Sequence, residues 1–330
     1  MNQFDLAVSI HPYIHSPLSK GAIFLNRLLA LSPLALLAVY HYGVMALAAI
    51  LTAAFFMLLP SYAALKLRGR RLADIEHENY YYALLFALTL PAGASYYMIA
   101  AGALALNLLV FFPRGSDALR IINPIAVVSC FLALTFNEKL YFFNGPRAFM
   151  SGAWFNPFPS GNNSCGFLFN IHNGEFSAVR ESAGGVAGLL SGWHPGHYGE
   201  LSVTLIAAAF IFLLLKKCVD GAPFIGAVVG LSAAAALLYC GRGFNAVMAE
   251  IISHAFASMF LFYSCFVLTD YYSSPQRYSA RVLFGALFGA LFVILCHYSD
   301  GRDCSAFSLA ISSSFVPLLD DIFSSGGRRE

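Results

Sequence analysis

"YGELSVTLIAAAFIFLLLKK", Tyr198 to Lys217, decides the fold class. After Glu200 no charge appears until Lys216 and Lys217 close the run. In lipid every backbone N–H and C=O must find a partner within the protein, and a helix does this inside one segment. The stretch therefore reads as a membrane helix with Glu200 at its mouth.

The same pattern recurs outward along the chain. About ten runs approach the roughly 20 apolar residues that a bilayer core requires. They lie near 22–41, 43–65, 80–91, 94–112, 123–136, 200–215, 222–240, 247–268, 282–297 and 304–322. The runs at 80–91 and 123–136 are short for a full crossing. Composition agrees: 59% of the 330 residues are hydrophobic and 11% charged, against about a quarter charged in soluble domains. The expected fold is an all-α polytopic membrane protein of about ten helices. Ten spans also divide into two five-helix halves, as in inverted-repeat transporters, although no internal similarity is read from the sequence.

Met1 to Ser19 contains His11, Pro12 and His15 and lacks the basic start and apolar stretch of a signal peptide. It reads as a cytoplasmic arm. With ten crossings, Lys139, Arg147, Arg180, Arg242 and Arg302 fall outside, and the other 14 of the 19 Lys and Arg (19 less 5) fall inside. That bias places both termini in the cytoplasm. A net charge of +2 offers no reason to invoke nucleic acid; the lipid bilayer is the partner that composition implies.

One long hydrophilic excursion, residues 137–199, becomes an extracytoplasmic cap loop on this topology. Its Gly, Pro, Asn and aromatic content suits an ordered irregular layer near the headgroups. It closes on "ESAGGVAGLLSGWHPGHYGE", Glu181 to Glu200. Among the seven cysteines there is no C-x-x-C, and Cys165 and Cys304 are the pair placed to meet oxidant outside.

Candidate sites follow from costly residue types. Glu250 and His254, four apart in "AVMAEIISHAFASMF", share one helix face inside a predicted span. Such a pair marks either a cation or proton pathway or a mutual hydrogen bond near the outer end. Glu200 and Asp270 join them as candidate ion-path carboxylates. "HPGH" offers His194 and His197, but no third ligand accompanies them, so no metal site is assigned. "GRGFNA", Gly241 to Ala246, imitates a dinucleotide fingerprint without a βαβ unit and reads as a turn. Tyr80, Tyr81 and Tyr82 read as interfacial anchors. No nucleophile and base stand at a telling spacing, so a catalytic residue is not assigned.

"TDYYSSPQRYSARVLFGALFGALFVIL", Thr269 to Leu295, and "VPLLDD", Val316 to Asp321, narrow the class. They resemble the D subunit of Rnf ion-translocating electron-transport complexes and the related B subunit of sodium-pumping NADH:quinone reductase. That family shows T-D, then S-P, then G-R-x-x-x-G, and closes on N-x-x-x-P-L-x-D. Thr269, Asp270, Ser274, Pro275, Arg281, Gly285, Pro317, Leu318 and Asp320 match. "HPYIHSP", "LKLRGRRLAD", "ALTLP", "INPIA" and "PGHYGELS" follow the family's order along the chain.

The resemblance implies a ten-helix bundle related in fold to urea channels, acting with other Rnf-type membrane and peripheral subunits in a bacterial inner membrane. It implies coupling of electron transfer between ferredoxin and NAD to Na+ or H+ transport. It also implies FMN attached through its phosphate to a threonine in S-G-A-T ahead of the G-E motif. Alignment places Gly185 or Val179 at that threonine, and neither carries a hydroxyl. The nearby oxygen nucleophiles are Ser177 and Ser182, while the backbone amides of Gly184 and Gly185 offer a non-covalent phosphate nest. The rival readings are a stand-alone channel or transporter with the same bundle, and a structural component that only holds partners together.

Overall fold

A computed structural model describes residues 19–67, 77–111, 122–136, 140, 142–158, 163–165, 195–256, 258–270, 272–299 and 302–325. The first five helices are α1 (Lys20–Tyr42), α2 (Val44–Leu67), α3 (His77–Thr89), α4 (Tyr96–Phe111) and α5 (Pro124–Thr135). A short antiparallel ribbon, β1 (Phe142–Asn144) with β2 (Asn163–Cys165), follows. Then come α6 (Val203–Leu215), α7 (Ala222–Tyr239), α8 (Phe244–Phe256) and α9 (Phe260–Phe262), the last continuing into a π-helical turn, Tyr263–Val267. The chain closes with α10 (Tyr278–Tyr298), α11 (Ser305–Ser314) and α12 (Val316–Ser325).

By length and composition α1, α2, α7 and α10 each suffice to cross a membrane. Two bent pairs, α8 with α9 at 63° and α11 with α12 at 43°, raise the number to six if each is one span. With α3, α4, α5 and α6 added, the helical segments correspond to the apolar runs of the sequence, and the chain is a polytopic all-α membrane protein. The short runs correspond to α3 and α5, of 13 and 12 residues. At 1.5 Å per residue each is about 20 Å long, short of the roughly 30 Å hydrocarbon core. Leu36, Leu51, Leu134, Leu215 and Leu237 point outward, as a lipid-facing surface requires.

Hydrogen bonds show that successive segments alternate in direction. At one end, the start of α1 meets the close of the π turn and the turn after α6, through Arg27 to Thr269 and Cys218. The start of α5 meets the same turn, and Asp220 ahead of α7 meets Arg281 of α10. At the other end, residues 142–158 fold over the end of α1 and the start of α2. Arg147 N–H donates to His41 O, and Val44 N–H to Trp154 O. Gly43 between the two helices has φ 68°, and a side chain there would collide with the Trp154 carbonyl.

Two packing contacts recur in the same order in each half. In the first, α2 packs on α4 and α4 on α5; in the second, α7 packs on α10 and α10 on α11. Ala87-Leu88-Thr89-Leu90 closes α3 much as Val267-Leu268-Thr269-Asp270 closes the π turn. Each threonine hydroxyl turns back onto its own helix, Thr89 to Phe86 O and Thr269 to Cys265 O, both at 2.7 Å. Four residues of resemblance lie below what sequence inspection resolves.

Packing is tightest between α7 and α10. Gly226 and Gly230 on α7 face Gly285 and Gly289 on α10, and a methyl group at any of them would run into the opposite helix's backbone. Small residues at four-residue spacing let membrane helices meet at van der Waals distance, where lipid offers no hydrophobic drive. Beside this seam Phe260 stacks on Phe288 at 5.4 Å, and Phe284 and Phe292 are fully buried.

Candidate functional site

The break between α3 and α4 leaves helix-end carbonyls inside the bundle that need donors. The turn ahead of α6 supplies them: Gly199 N–H donates to Leu88 O at 2.8 Å and Tyr198 N–H to Leu90 O at 3.1 Å. That turn carries His197 and Glu200. Glu200 Oε1 accepts the His197 backbone N–H at 3.0 Å, and Oε2 lies 3.1 Å from His197 Nδ1. Gly196 lies beneath them, and a Cβ there would push the Glu200 carboxylate from this position.

Asp303, ahead of α11, completes this group. Its Oδ2 accepts Met259 N–H at 2.7 Å, at the break between α8 and α9, and its Oδ1 accepts Ser305 N–H at 2.8 Å. Burial by itself lowers the His197 pKa, but the Glu200 charge and hydrogen bond, with Asp303, outweigh it and raise the pKa above the ordinary histidine value. A cavity of about 40 Å³ opens against His197 and Asp303, with Thr89, Ser129 and Tyr263 in its wall. Tyr263 donates to Ser129 Oγ at 3.1 Å.

A second polar group occupies the opposite end. Arg27 is buried, with Nη1 3.2 Å from Asp270 Oδ1 and Nη2 donating to Cys218 O and Thr269 O. Tyr82 donates to Asp270 Oδ2 at 3.0 Å, Tyr81 donates to Phe266 O at 3.3 Å, and the Arg27 guanidinium lies 5.7 Å from the Tyr81 ring centre. Anchoring in the lipid interface therefore suits Tyr80, which is 39% exposed, but not Tyr81 and Tyr82, which are 1% exposed. Aromatic triplets on a helix look alike in sequence, and only rotation about the axis separates them. Asn123 locks this end from the first half: its Oδ1 caps α5, and its Nδ2 donates to Val267 O at 3.0 Å and Ser273 Oγ at 3.1 Å.

The third group is the expected pair. His254 Nδ1 lies 2.8 Å from Glu250 O and 3.6 Å from Glu250 Oε2, both residues being buried on α8. The His254 ring rests against Tyr239, whose hydroxyl is 3.2 Å from His297 Nδ1. The four candidate ion-path residues thus sit in three polar groups: Glu200 with His197, Glu250 with His254, and Asp270 with Arg27.

Other expectations resolve locally. "GRGFNA" is a turn, with a 3₁₀ segment Cys240–Arg242 and Gly243 at φ 90°. Cys304 is a free thiol beside Ser299 and so forms no bridge to Cys165. Ser177, Val179, Ser182, Gly184, Gly185 and His194 lie outside the described residues.

The motif residues at 269–320 converge at the Asp270 end. Arg281 pairs with Asp220 at 2.5 Å and donates to Pro275 O at 2.7 Å, and Asp320 accepts Gln276 N–H at 2.9 Å. Burial pushes the Asp220 carboxyl up, but the Ala222 amide and Arg281 outweigh this and hold it below the ordinary aspartate value. A bundle of alternating, partly broken membrane helices with buried ionisable pairs toward both ends defines an integral membrane protein, either a carrier or a membrane component of a larger complex.

The profile of the NQR2, RnfD, RnfE family matches residues 7–326, and the chain belongs to that family. It is similar to the D subunit of the proton-translocating ferredoxin:NAD(+) oxidoreductase complex of Clostridium ljungdahlii, 21% identical over 95% of this chain and 93% of the relative. The D subunit of the ion-translocating oxidoreductase complex of Actinobacillus succinogenes is 22% identical over 94% of each chain. Its counterpart in Yersinia pestis is 23% identical over 96% of each.

Proposed function

We propose that the chain is the membrane-embedded D subunit of an Rnf-type ion-translocating oxidoreductase complex, in which electron transfer between ferredoxin and NAD drives Na+ or H+ across a bacterial inner membrane. The observation that carries this reading is the end-to-end correspondence with proteins so named, 95% of this chain against 93% of the Clostridium relative. It is supported by the gathering of Thr269, Asp270, Arg281 and Asp320 at one end of the bundle. Both termini are assigned to the cytoplasm, with Glu200, Glu250, His254 and Asp270 as the carboxylates and imidazole of the ion path.

The family's covalent FMN does not fit the aligned positions, because neither Val179 nor Gly185 offers an oxygen nucleophile. Ser177 and Ser182 remain the hydroxyl candidates, and the amides of Gly184 and Gly185 the non-covalent ones.

Purification from native membranes in mild detergent tests the assignment. Companion subunits at fixed stoichiometry, with ferredoxin-dependent NAD reduction, are expected. A homo-oligomer free of partners would replace the proposal with a stand-alone channel. Intact mass of the same chain decides the flavin: an adduct directs attention to Ser177 and Ser182, and an unmodified mass with retained flavin to the glycine amides.

A further inference from the structure

His197, Glu200 and Asp303 each present one potential ligand atom, and the three lie within 4.8 Å of one another. Two come from the turn ahead of α6 and one from the start of α11, so folding brings them together. Each is already held: Glu200 by the His197 amide, Asp303 by the amides of Met259 and Ser305, and His197 by its bridge to Pro91 and its edge-on contact with Phe143 at 4.9 Å. Ligands oriented by an outer layer of hydrogen bonds are the common construction of metal sites.

Two carboxylates and one imidazole carry more negative than positive formal charge even when the ring is protonated. Two carboxylates beside an imidazole form a donor set suited to a divalent cation. The adjoining cavity of about 40 Å³ has room for water ligands, each needing roughly 10–15 Å³ on that measure. Its wall includes Ser129 and Tyr263, whose hydroxyls bond to each other. Ser305 Oγ, buried beside Asp303, has no hydrogen-bond partner among the described residues.

We propose that His197, Glu200 and Asp303 bind one divalent transition-metal ion of the Zn2+ or Mn2+ class, at the end of the bundle that carries residues 142–158. An imidazole with two carboxylates suits these ions, whereas Ca2+ and Mg2+ favour all-oxygen shells. Metal–ligand bonds of about 2.0–2.2 Å place tetrahedral or cis donors roughly 2.8–3.6 Å apart, so the most distant donors of this set, now within 4.8 Å, close by roughly an ångström or more on binding. The site ties the turn ahead of α6 to α11 across the broken end of α3.

The full-length chain, with any subunits that accompany it, is stripped by chelator and titrated with Mn2+ under electron paramagnetic resonance. Expected are one Mn2+ per chain, displacement by Zn2+ but not by Ca2+, and nitrogen hyperfine coupling from a single imidazole. His197→Gln keeps a hydrogen-bonding side chain but loses the nitrogen coupling and weakens binding at least about tenfold. If that variant does not accumulate, Asp303→Asn carries the test, with weakened binding and the nitrogen coupling retained. Absence of stoichiometric Mn2+ in the wild type, or an unchanged spectrum and affinity in His197→Gln, overturns the proposal. The composition of the purified complex is measured separately, so either result leaves the functional assignment standing on its own evidence.

Discussion

Arg27 and Asp270 form an ion pair 3.2 Å apart with both side chains 3% exposed, joining the start of α1 to the close of the π turn. The two residues belong to opposite halves of the bundle, so the pair fixes one half against the other. A buried pair is weak evidence of net stabilisation, but removing one partner strands the other charge.

Asp270→Asn or Arg27→Leu is accordingly expected to cost about 3–5 kcal/mol. The measurement is thermal unfolding in detergent, read beside the double variant Arg27→Leu/Asp270→Leu, which should recover part of the loss. Single variants as stable as the wild type would show that the charges are solvated.

Tyr82→Phe removes the hydrogen bond to Asp270 Oδ2 and is expected to cost about 1.5–3 kcal/mol, the range for bonds to charged groups. Tyr80→Phe, on the exposed side of the same turn, should leave unfolding unchanged. Equal effects would restore the view that all three tyrosines merely anchor the helix.

Gly230→Val should prevent α7 and α10 from closing, because the new side chain meets the Ala286 backbone. Overpacking of this kind costs about 1–3 kcal/mol or more, and backbone has little room to yield. Gly241→Ala is the control, since nothing lies within 4 Å of its missing Cβ. Monodisperse yield after detergent extraction separates the two; normal yield of Gly230→Val contradicts the seam.

Asp220 gives a pH dependence. In the unfolded chain it titrates near 3.8, and in the fold it titrates lower, so its contribution is complete above that value and disappears as pH falls through the depressed pKa. Asp220→Asn should therefore lie below the wild type in Tm at about pH 6, with the gap narrowing toward about pH 3. A gap that stays constant over that range would assign the effect to lost capping of Ala222 instead of charge.

The run from Tyr198 to Lys217 is enough to read a membrane helix, because lipid imposes one rule on every spanning segment. The ten apolar runs return as helices for the same reason. Breaks are harder: the run 247–268 reads as one segment, and at its 63° bend Ser258 and Asp303 accept the amides of Phe260 and Met259, which no hydropathy pattern records. At the site, Glu250 and His254 are legible because i and i+4 share a helix face. His197 is visible in the sequence but its neighbours in space are not. Glu200 is legible as a carboxylate at a helix mouth, but its contact with His197 depends on a turn bonded to the end of α3, and Asp303 approaches from a distant segment. Arg27 reads only as a topological charge, since burial among Phe24, Tyr81 and Tyr82 comes from packing rather than spacing.

The glycine contact between α7 and α10 also has a mechanical meaning. With carbonyls of one helix seated against the other's backbone, neither can roll about its axis or slide by a turn without prying the pair apart. The two helices behave as one stiff strut on which the second half of the bundle is built.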